Sequence, residues 1–257
     1  MKVTISDKSK KDLFIAVFQT LKNCSSLISV NLLEDKMYIQ GMDKSHICLF
    51  EVNISNKWFN HYEISDKKNI CFDSNVFHQI ISSKSDGLDI HIYSDNDDNL
   101  NIDLIALEHL KGEFNKYFKI SLANCDYEEL NIPVVEYDAE FSISSKKICE
   151  ILSQMSTFGN DINFNCCDDK IDLVTNGISG EMRVNIPIDD LSEYSIVEDE
   201  KVCLTYSLNY MNKMCLTNKL STEIEFSISS DYPMKMNYDL GDESSLKFYI
   251  APKINDD

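Results

Sequence analysis

The stretch SSKKICEILSQMSTFGNDINFNCCDDKIDLV, residues 144–174, changes its hydrophobic period partway along. Ile148, Ile151, Leu152 and Met155 fall at i, i+3, i+4 and i+7, the stripe of an amphipathic helix over roughly 144–158. Ser144 and Ser145 stand where they can cap its start, and Gly159 follows its end. Beyond the glycine the pattern reads as a strand, the polar turn Asp168-Asp169-Lys170 and a second strand. A helix followed by an antiparallel hairpin predicts an α+β layout, with the helix packed on the sheet.

The same unit recurs on either side. Helical spacing is also present at roughly 9–23, 73–83 and 206–216. In the first of these Leu13, Ile15, Ala16, Val17, Phe18 and Leu21 gather toward one side, with Lys10, Lys11 and Lys22 elsewhere. The turns Glu34-Asp35-Lys36, Asp95-Asn96-Asp97-Asp98-Asn99 and Asp231-Tyr232-Pro233 follow these helices. Alternation precedes two of them, in Leu88, Ile90, Ile92 and in Ile224, Phe226, Ile228. Helix starts near 9, 73, 144 and 206 are too far apart for a short solenoid repeat. Two units therefore make each half, giving domains at 1–118 and 134–257. Residues 119–133, with Asn124, Asp126, Glu128, Glu129, Asn131 and Pro133, lack periodicity and read as the connector. A fortuitous repeat inside a single α+β domain would carry the same pattern.

Composition bounds the function. Of 257 residues 43% are apolar and 10% aromatic, enough for a buried core, and 7 Gly with 4 Pro exclude low-complexity segments. No uncharged apolar run approaches the length of a membrane span, and the chain opens on Lys, Asp and Ser. A soluble intracellular protein without a membrane partner is expected. The nine cysteines, at 24, 48, 71, 125, 149, 166, 167, 203 and 215, include no C-x-x-C pair. Their odd number predicts reduced thiols, mostly buried as small hydrophobes.

No G-x-G-x-x-G, Walker A loop, H-E-x-x-H or G-x-S-x-G is present. The acidic run from Asp95 fails as a calcium loop, since Leu100 stands where glycine is needed and Ala106 where a bidentate carboxylate is needed. His46, His61, His78, His91 and His109 lie apart, and few glycines remain for a phosphate cradle. The expectation is a protein with no catalytic residues, no metal and no cofactor. Twenty-four basic against 43 acidic residues leave a net charge of −19, with Arg183 the one arginine, which argues against nucleic-acid binding unless lysines are segregated onto one surface.

Three segments carry a resemblance. Ile39-Gln40-Gly41-Met42-Asp43-Lys44-Ser45-His46-Ile47-Cys48-Leu49, Leu130-Asn131-Ile132-Pro133 with Glu136-Tyr137, and Leu246-Lys247-Phe248-Tyr249-Ile250-Ala251-Pro252-Lys253-Ile254 are similar to the M-D-x-S-H-[VI]-x-L, L-x-I-P-x-x-E-Y and L-K-[YF]-Y-[LI]-A-P-K-I segments of the eukaryotic sliding clamp, proliferating cell nuclear antigen (PCNA). Their order and separations also match, so the resemblance spans essentially the whole chain. It implies two topologically similar domains with helices on an inner face and antiparallel sheets outside. Three copies would close head to tail into a ring around double-stranded DNA, read without sequence preference. The ring-closing strands would lie near Glu113–Leu122, including Tyr117, and Glu181–Ile188, including Arg183. Lys10, Lys11, Lys22, Lys84, Lys146, Lys147, Lys213 and Lys219 would then line a basic channel beside acidic outer sheets.

The resemblance further implies a pocket for a short aromatic-pair motif carried by DNA polymerase, ligase, flap nuclease and clamp loader. Its matching positions are Met42, His46, Ile47, Leu49, Leu130, Ile132, Pro133, Tyr137, Pro233, Tyr249, Ile250, Ala251 and Pro252. The chain departs from the family in Glu150, Ser153 and Thr157 on the third helix, in Asp168 at the position of a modified lysine, and in a connector one residue longer. The implied activity is that of a non-enzymatic processivity clamp. One subunit of a heterotrimeric checkpoint ring, an enzyme with an acidic site, and a purely structural interaction protein are the alternatives. Abundant Asn, Ile, Lys, Asp and Ser suggest an AT-rich genome, of a eukaryote or a large DNA virus, and hence a nuclear or cytoplasmic-factory location.

Overall fold

The computed structural model describes residues 1–64, 68–83, 86–94, 98–106, 108, 111–125, 129–197 and 201–253. The chain divides into two units: residues 1–42, 50–130 and 240–246 form the first, and residues 43–49, 131–239 and 247–257 the second.

The first unit holds β1 (Lys2–Ile5), α1 (Lys8–Cys24), β2 (Leu27–Leu32), β3 (Lys36–Met42), most of β4 (Cys48–Ser55), β5 (His61–Glu63), β6 (Lys68–Asp73), α2 (Ser74–Ser82), β7 (Leu88–Tyr93), β8 (Asn99–Ala106) and β9 (Lys116–Ser121). One sheet runs β5-β1-β7-β8-β9, and the remaining strands of the unit neighbour one another as β4-β3-β2-β6. Helix α1 begins because Asp7, extended at the N-cap, accepts the Lys10 amide. Asp73 caps α2 in the same way through Asn75 N and Val76 N. The two helices pack on each other. Phe14 meets Phe77 and Phe18 meets Phe72 and Phe77 at centroid distances of 4.6–6.3 Å, and Phe72 and Phe77 lie 4.5 Å apart. Each such ring, removed from water, contributes roughly 1.5–3 kcal/mol. Trp58 closes the cluster, its indole N–H donating to Leu240 O at 3.0 Å.

The second unit repeats the plan with β10 (Ala139–Ser144), α3 (Ser145–Met155), β11 (Asp161–Cys167), β12 (Lys170–Gly177), β13 (Gly180–Pro187), β14 (Glu193–Ile196), β15 (Val202–Ser207), α4 (Leu208–Met214), β16 (Glu223–Ile228), most of β17 (Met234–Gly241) and most of β18 (Ser244–Ile250), residues 240–246 belonging to the first. Its strand orders are β13-β12-β11-β15 and β14-β10-β16-β17-β18. The helix–hairpin unit expected from the sequence occurs at all four places, as α1-β2-β3, α2-β7-β8, α3-β11-β12 and α4-β16-β17. Ile148, Leu152 and Met155 bury the inner face of α3, above Phe141 and Phe226 stacked at 5.0 Å.

Three local expectations are corrected. Ile151 is only half-buried, because the stripe follows i, i+4, i+7 from Ile148. Ser144 occupies the N-cap without a side-chain bond, and the Ser145 hydroxyl instead donates to Ser221 O. The cysteines are not all thiols: Cys71 and Cys125, 54 positions apart, form a disulfide, and the other seven stay free. A partner that far along the chain leaves no spacing signal. Among the described residues no helix is long and apolar enough to cross a membrane.

Candidate functional site

The helix lysines differ in what their ammonium groups do. Lys11 cannot serve a DNA-facing surface: it is 2% exposed, with Nζ donating to Asp86 O and Leu88 O at 3.1 and 2.9 Å and facing Asp89 Oδ1 at 3.6 Å. A buried cation so partnered is structural. Lys10 is also engaged, donating to Trp58 O and Asp242 Oδ2, both at 2.7 Å, and lying over the Trp58 ring. Lys22, in the last turn of α1, lies 3.1 Å from His78 Nδ1 on α2. Burial pushes His78 below its ordinary value and the Lys22 charge adds to this, so the imidazole is neutral near pH 7.

In the second unit Lys146 and Lys147 are exposed in the first turn of α3, Lys213 lies over the Tyr210 ring on α4, and Lys219 is exposed just after α4. Among the described residues no carboxylate pairs with Lys22, Lys146, Lys147, Lys213 or Lys219. Lys84 lies outside the described residues. Of the seven described candidate lysines, the five without a carboxylate partner lie on α3, on or just after α4 and at the end of α1.

Two of the three recognisable segments meet in the second unit. Residues 43–48 form a loop organised by the buried Asp43. Its Oδ1 accepts Ile47 N and Cys48 N at 2.8 and 2.7 Å, and its Oδ2 accepts Ser45 N at 2.9 Å and the Tyr210 hydroxyl at 2.8 Å. Burial pushes this carboxyl up, but the three amides and the phenol together pull it down, and the net is below the ordinary value. His46 takes the left-handed φ of 57° that the tight turn demands. The Ala251 amide then donates to Ile47 O at 3.1 Å, joining the loop to the C-terminal segment. Lys253 N continues the pattern by donating to Thr205 O on β15 at 2.8 Å.

Of the candidate pocket residues in the second unit, His46, Ile47, Pro133 and Pro233 are exposed, and Ile132, Tyr137, Leu49, Tyr249, Ala251 and Pro252 are half-buried. Tyr137 lies beneath the Lys235 ammonium at 4.9 Å, and burial pushes its phenol up. Ile250 is fully buried and supports the segment from below. Met42 and Leu130 belong to the first unit, where the Gln40 amide clasps Leu130 by donating to its carbonyl at 2.9 Å and accepting its N–H at 2.8 Å. The final motif residue, Ile254, lies outside the described residues. The sequence reading gave no role to Asp43, Tyr210 or Gln40, which tie the loop together and hold Leu130, although Gln40 and Asp43 both lie inside the 39–49 segment.

Each unit also ends a sheet on a strand that, among the described residues, is paired on one side only. β9 is the outer strand beyond β8 and β13 the outer strand beyond β12. Beside and on them Phe114, Tyr117 and Ile178 are 77%, 67% and 109% exposed, while Arg183 lies near Glu181 on the same strand. Among the described residues no group of three or more His, Cys, Asp or Glu could hold a metal ion.

Helix–hairpin units repeated in each half, lysines on α1, α3 and α4, and an edge strand in each half together fit the class of DNA clamps. The family model "Proliferating cell nuclear antigen, N-terminal domain" matches residues 8–129, and "Proliferating cell nuclear antigen, C-terminal domain" matches residues 131–253. The chain is similar to proliferating cell nuclear antigen 2 of Plasmodium falciparum (isolate 3D7), 26% identical over 254 residues that cover 95% of this chain and 96% of that one. The chain belongs to the proliferating cell nuclear antigen family and is a DNA sliding clamp for replication and repair. Family members are non-catalytic nuclear factors that act on DNA as oligomers with polymerase and other replication partners.

Proposed function

We propose that three copies close into a homotrimeric ring by pairing β9 of one copy with β13 of the next. The observation that carries this is that β9 in one unit and β13 in the other are two different edge strands, each with exposed apolar side chains on or beside it. Unlike edges pair head to tail, and such a contact closes when its rotation does. Tyr117 and Arg183 are then interface residues. In this reading 1–118 and 134–257 act as the two clamp domains, with 119–133 as connector.

Lys22, Lys146, Lys147, Lys213 and Lys219 face the duplex and contact phosphates, which carry no base identity and permit sliding. Polymerase, ligase, flap nuclease and clamp loader dock an aromatic-pair motif against Met42, His46, Ile47, Leu49, Leu130, Ile132, Pro133, Tyr137, Pro233, Tyr249, Ile250, Ala251 and Pro252. Docking raises polymerase concentration at the primer end without any chemistry by the clamp. The protein works in the nucleus. Absolute mass by light scattering tests the ring: a species about three times 29.5 kDa is expected. A monomer at all concentrations, unchanged by Tyr117→Asp, overturns it.

A further inference from the structure

We propose that Cys71 and Cys125 are a reversible oxidation site that fastens the start of the connector to β6. Neither cysteine is among the residues assigned above to the docking surface or to the helix lysines. Seven other cysteines of the same chain remain thiols, Cys24, Cys48, Cys166 and Cys215 in the interior and Cys203 at the surface. A chain that keeps seven thiols and joins one pair is not built on a disulfide framework. The single bridge is therefore read as one half of a thiol–disulfide couple.

The geometry is that of a staple at a sheet edge. β6 ends its strand order, so its outer backbone groups lack a strand partner. The connector supplies one, with Ala123 N donating to Cys71 O at 2.7 Å. Two residues later Cys125 reaches the Cys71 side chain, with the Cα atoms 6.1 Å apart, inside the range a disulfide spans. Leu122 N donates to Asp98 O at 2.8 Å just before. A cavity of about 500 Å³, lined by Cys71, Asp98, Leu122, Ala123 and Cys125, opens beside the bridge. Cys125 is half-buried there whereas Cys71 is 3% exposed, so Cys125 is the sulfur a small oxidant meets first.

The chemistry closes with a peroxide as oxidant. The Cys125 thiolate attacks one oxygen of hydrogen peroxide and expels hydroxide, leaving a sulfenic acid. The Cys71 thiolate attacks that sulfur, the S–O bond breaks, and the oxygen leaves as water once protonated. Two thiols lose two electrons and two protons, and one peroxide becomes two waters. A dithiol reverses the step by exchange through a mixed disulfide. With the bridge reduced, the Leu122 and Ala123 hydrogen bonds alone hold this segment against β6. The Leu130 clasp to Gln40 does not involve either sulfur and provides an internal reference.

The test uses the full chain, reduced with dithiothreitol, desalted and titrated with hydrogen peroxide. Peptide mapping with iodoacetamide should give one cross-link, Cys71 to Cys125, two hydrogen atoms lighter than the dithiol and reopened on reduction. Residue-resolved hydrogen exchange should show the Leu122 and Ala123 amides exchanging about tenfold or more faster when reduced, with Leu130 unchanged. Cys125→Ser should reproduce the fast exchange under both conditions, and its half-buried position spares the β6 core should Cys71→Ser fail to fold. Alkylation of both cysteines at every peroxide dose, or a cross-link to a different cysteine, overturns the site. A Cys71–Cys125 cross-link that leaves both amides unchanged overturns the fastening.

Discussion

Replacing Asp43 by alanine tests whether one carboxylate builds the loop on which the docking surface rests. The side chain accepts four hydrogen bonds at 2.7–2.9 Å, three from backbone amides and one from Tyr210. Bonds to a charged acceptor contribute about 1.5–3 kcal/mol each, but they act as one network and the freed amides regain part of this by bonding water. Loop closure should therefore weaken by about 3–4 kcal/mol, which at 1.4 kcal/mol per decade is about two to three decades in an opening equilibrium. Hydrogen exchange at the Ser45, Ile47 and Cys48 amides reads that equilibrium directly. Asp43→Asn should fall between, since its one carbonyl oxygen can keep Ile47 and Cys48 but its amino group cannot accept from Ser45. The pH dependence has a definite sign. Because the folded carboxyl sits below its ordinary value of 3.8, its contribution is complete above that value and disappears as pH falls through the lower, folded one. Exchange of the three amides relative to the β10 amides should thus be flat between about pH 5 and 8 and rise only in acid, below about 3.8. Amides equally protected in Asp43→Ala and the parent protein would refute the reasoning.

The remaining predictions concern the other surfaces. Changing Lys22, Lys147 and Lys213 to glutamine should weaken DNA association and lower the slope of log K against log salt by about 0.9 for each phosphate interaction removed, while peptide binding persists; an unchanged slope removes these residues from the DNA-facing set. Lys11→Met should leave that slope untouched yet lower stability in urea by about 3–5 kcal/mol, because it leaves Asp89 buried without its cation; near-neutral stability would mean the pair is dispensable. Alanine at Ile132 and Tyr249 together should abolish binding of an aromatic-pair peptide, followed by calorimetry, with the cooperative melt retained; parent-like affinity would exclude both from the pocket.

The four helices and their hairpins were legible because each quarter of the chain switches from a period near 3.6 to a period of 2. Ile224, Phe226 and Ile228 announce β16, and the structure buries all three. What pairs with what was not legible. β2 adds β6 and β1 adds β7 across long stretches of chain, and no local pattern names those partners. Cys71 with Cys125 and Gln40 with Leu130 are invisible for the same reason, each being a contact between distant positions. Asp43 carries its role within a recognisable motif, but its four donors come from a turn and from Tyr210, 167 positions away.

The lysines show where a local signal existed and was outweighed. Lys10 and Lys11 are adjacent, yet a helix turns about 100° per residue, so they cannot share an environment. Lys11 stands three positions before Phe14, seven before Phe18 and ten before Leu21, which is the buried stripe of α1. Its place on the wheel therefore marks it as inward, and an inward lysine demands a buried partner. That partner, Asp89, is the second residue of β7, an acidic residue at a buried position between Leu88 and Ile90. Each half of the pair is an anomaly in its own element, a cation on an apolar stripe and a carboxylate inside an apolar strand. Two such anomalies of opposite sign in elements that must pack together predict each other. Reading charge along a helix thus requires asking which residues share its buried face before assigning the rest to a ligand. By that criterion Lys146 and Lys147, which lie between the inward Ser145 and Ile148, remain on the outside of α3 and available to an anion.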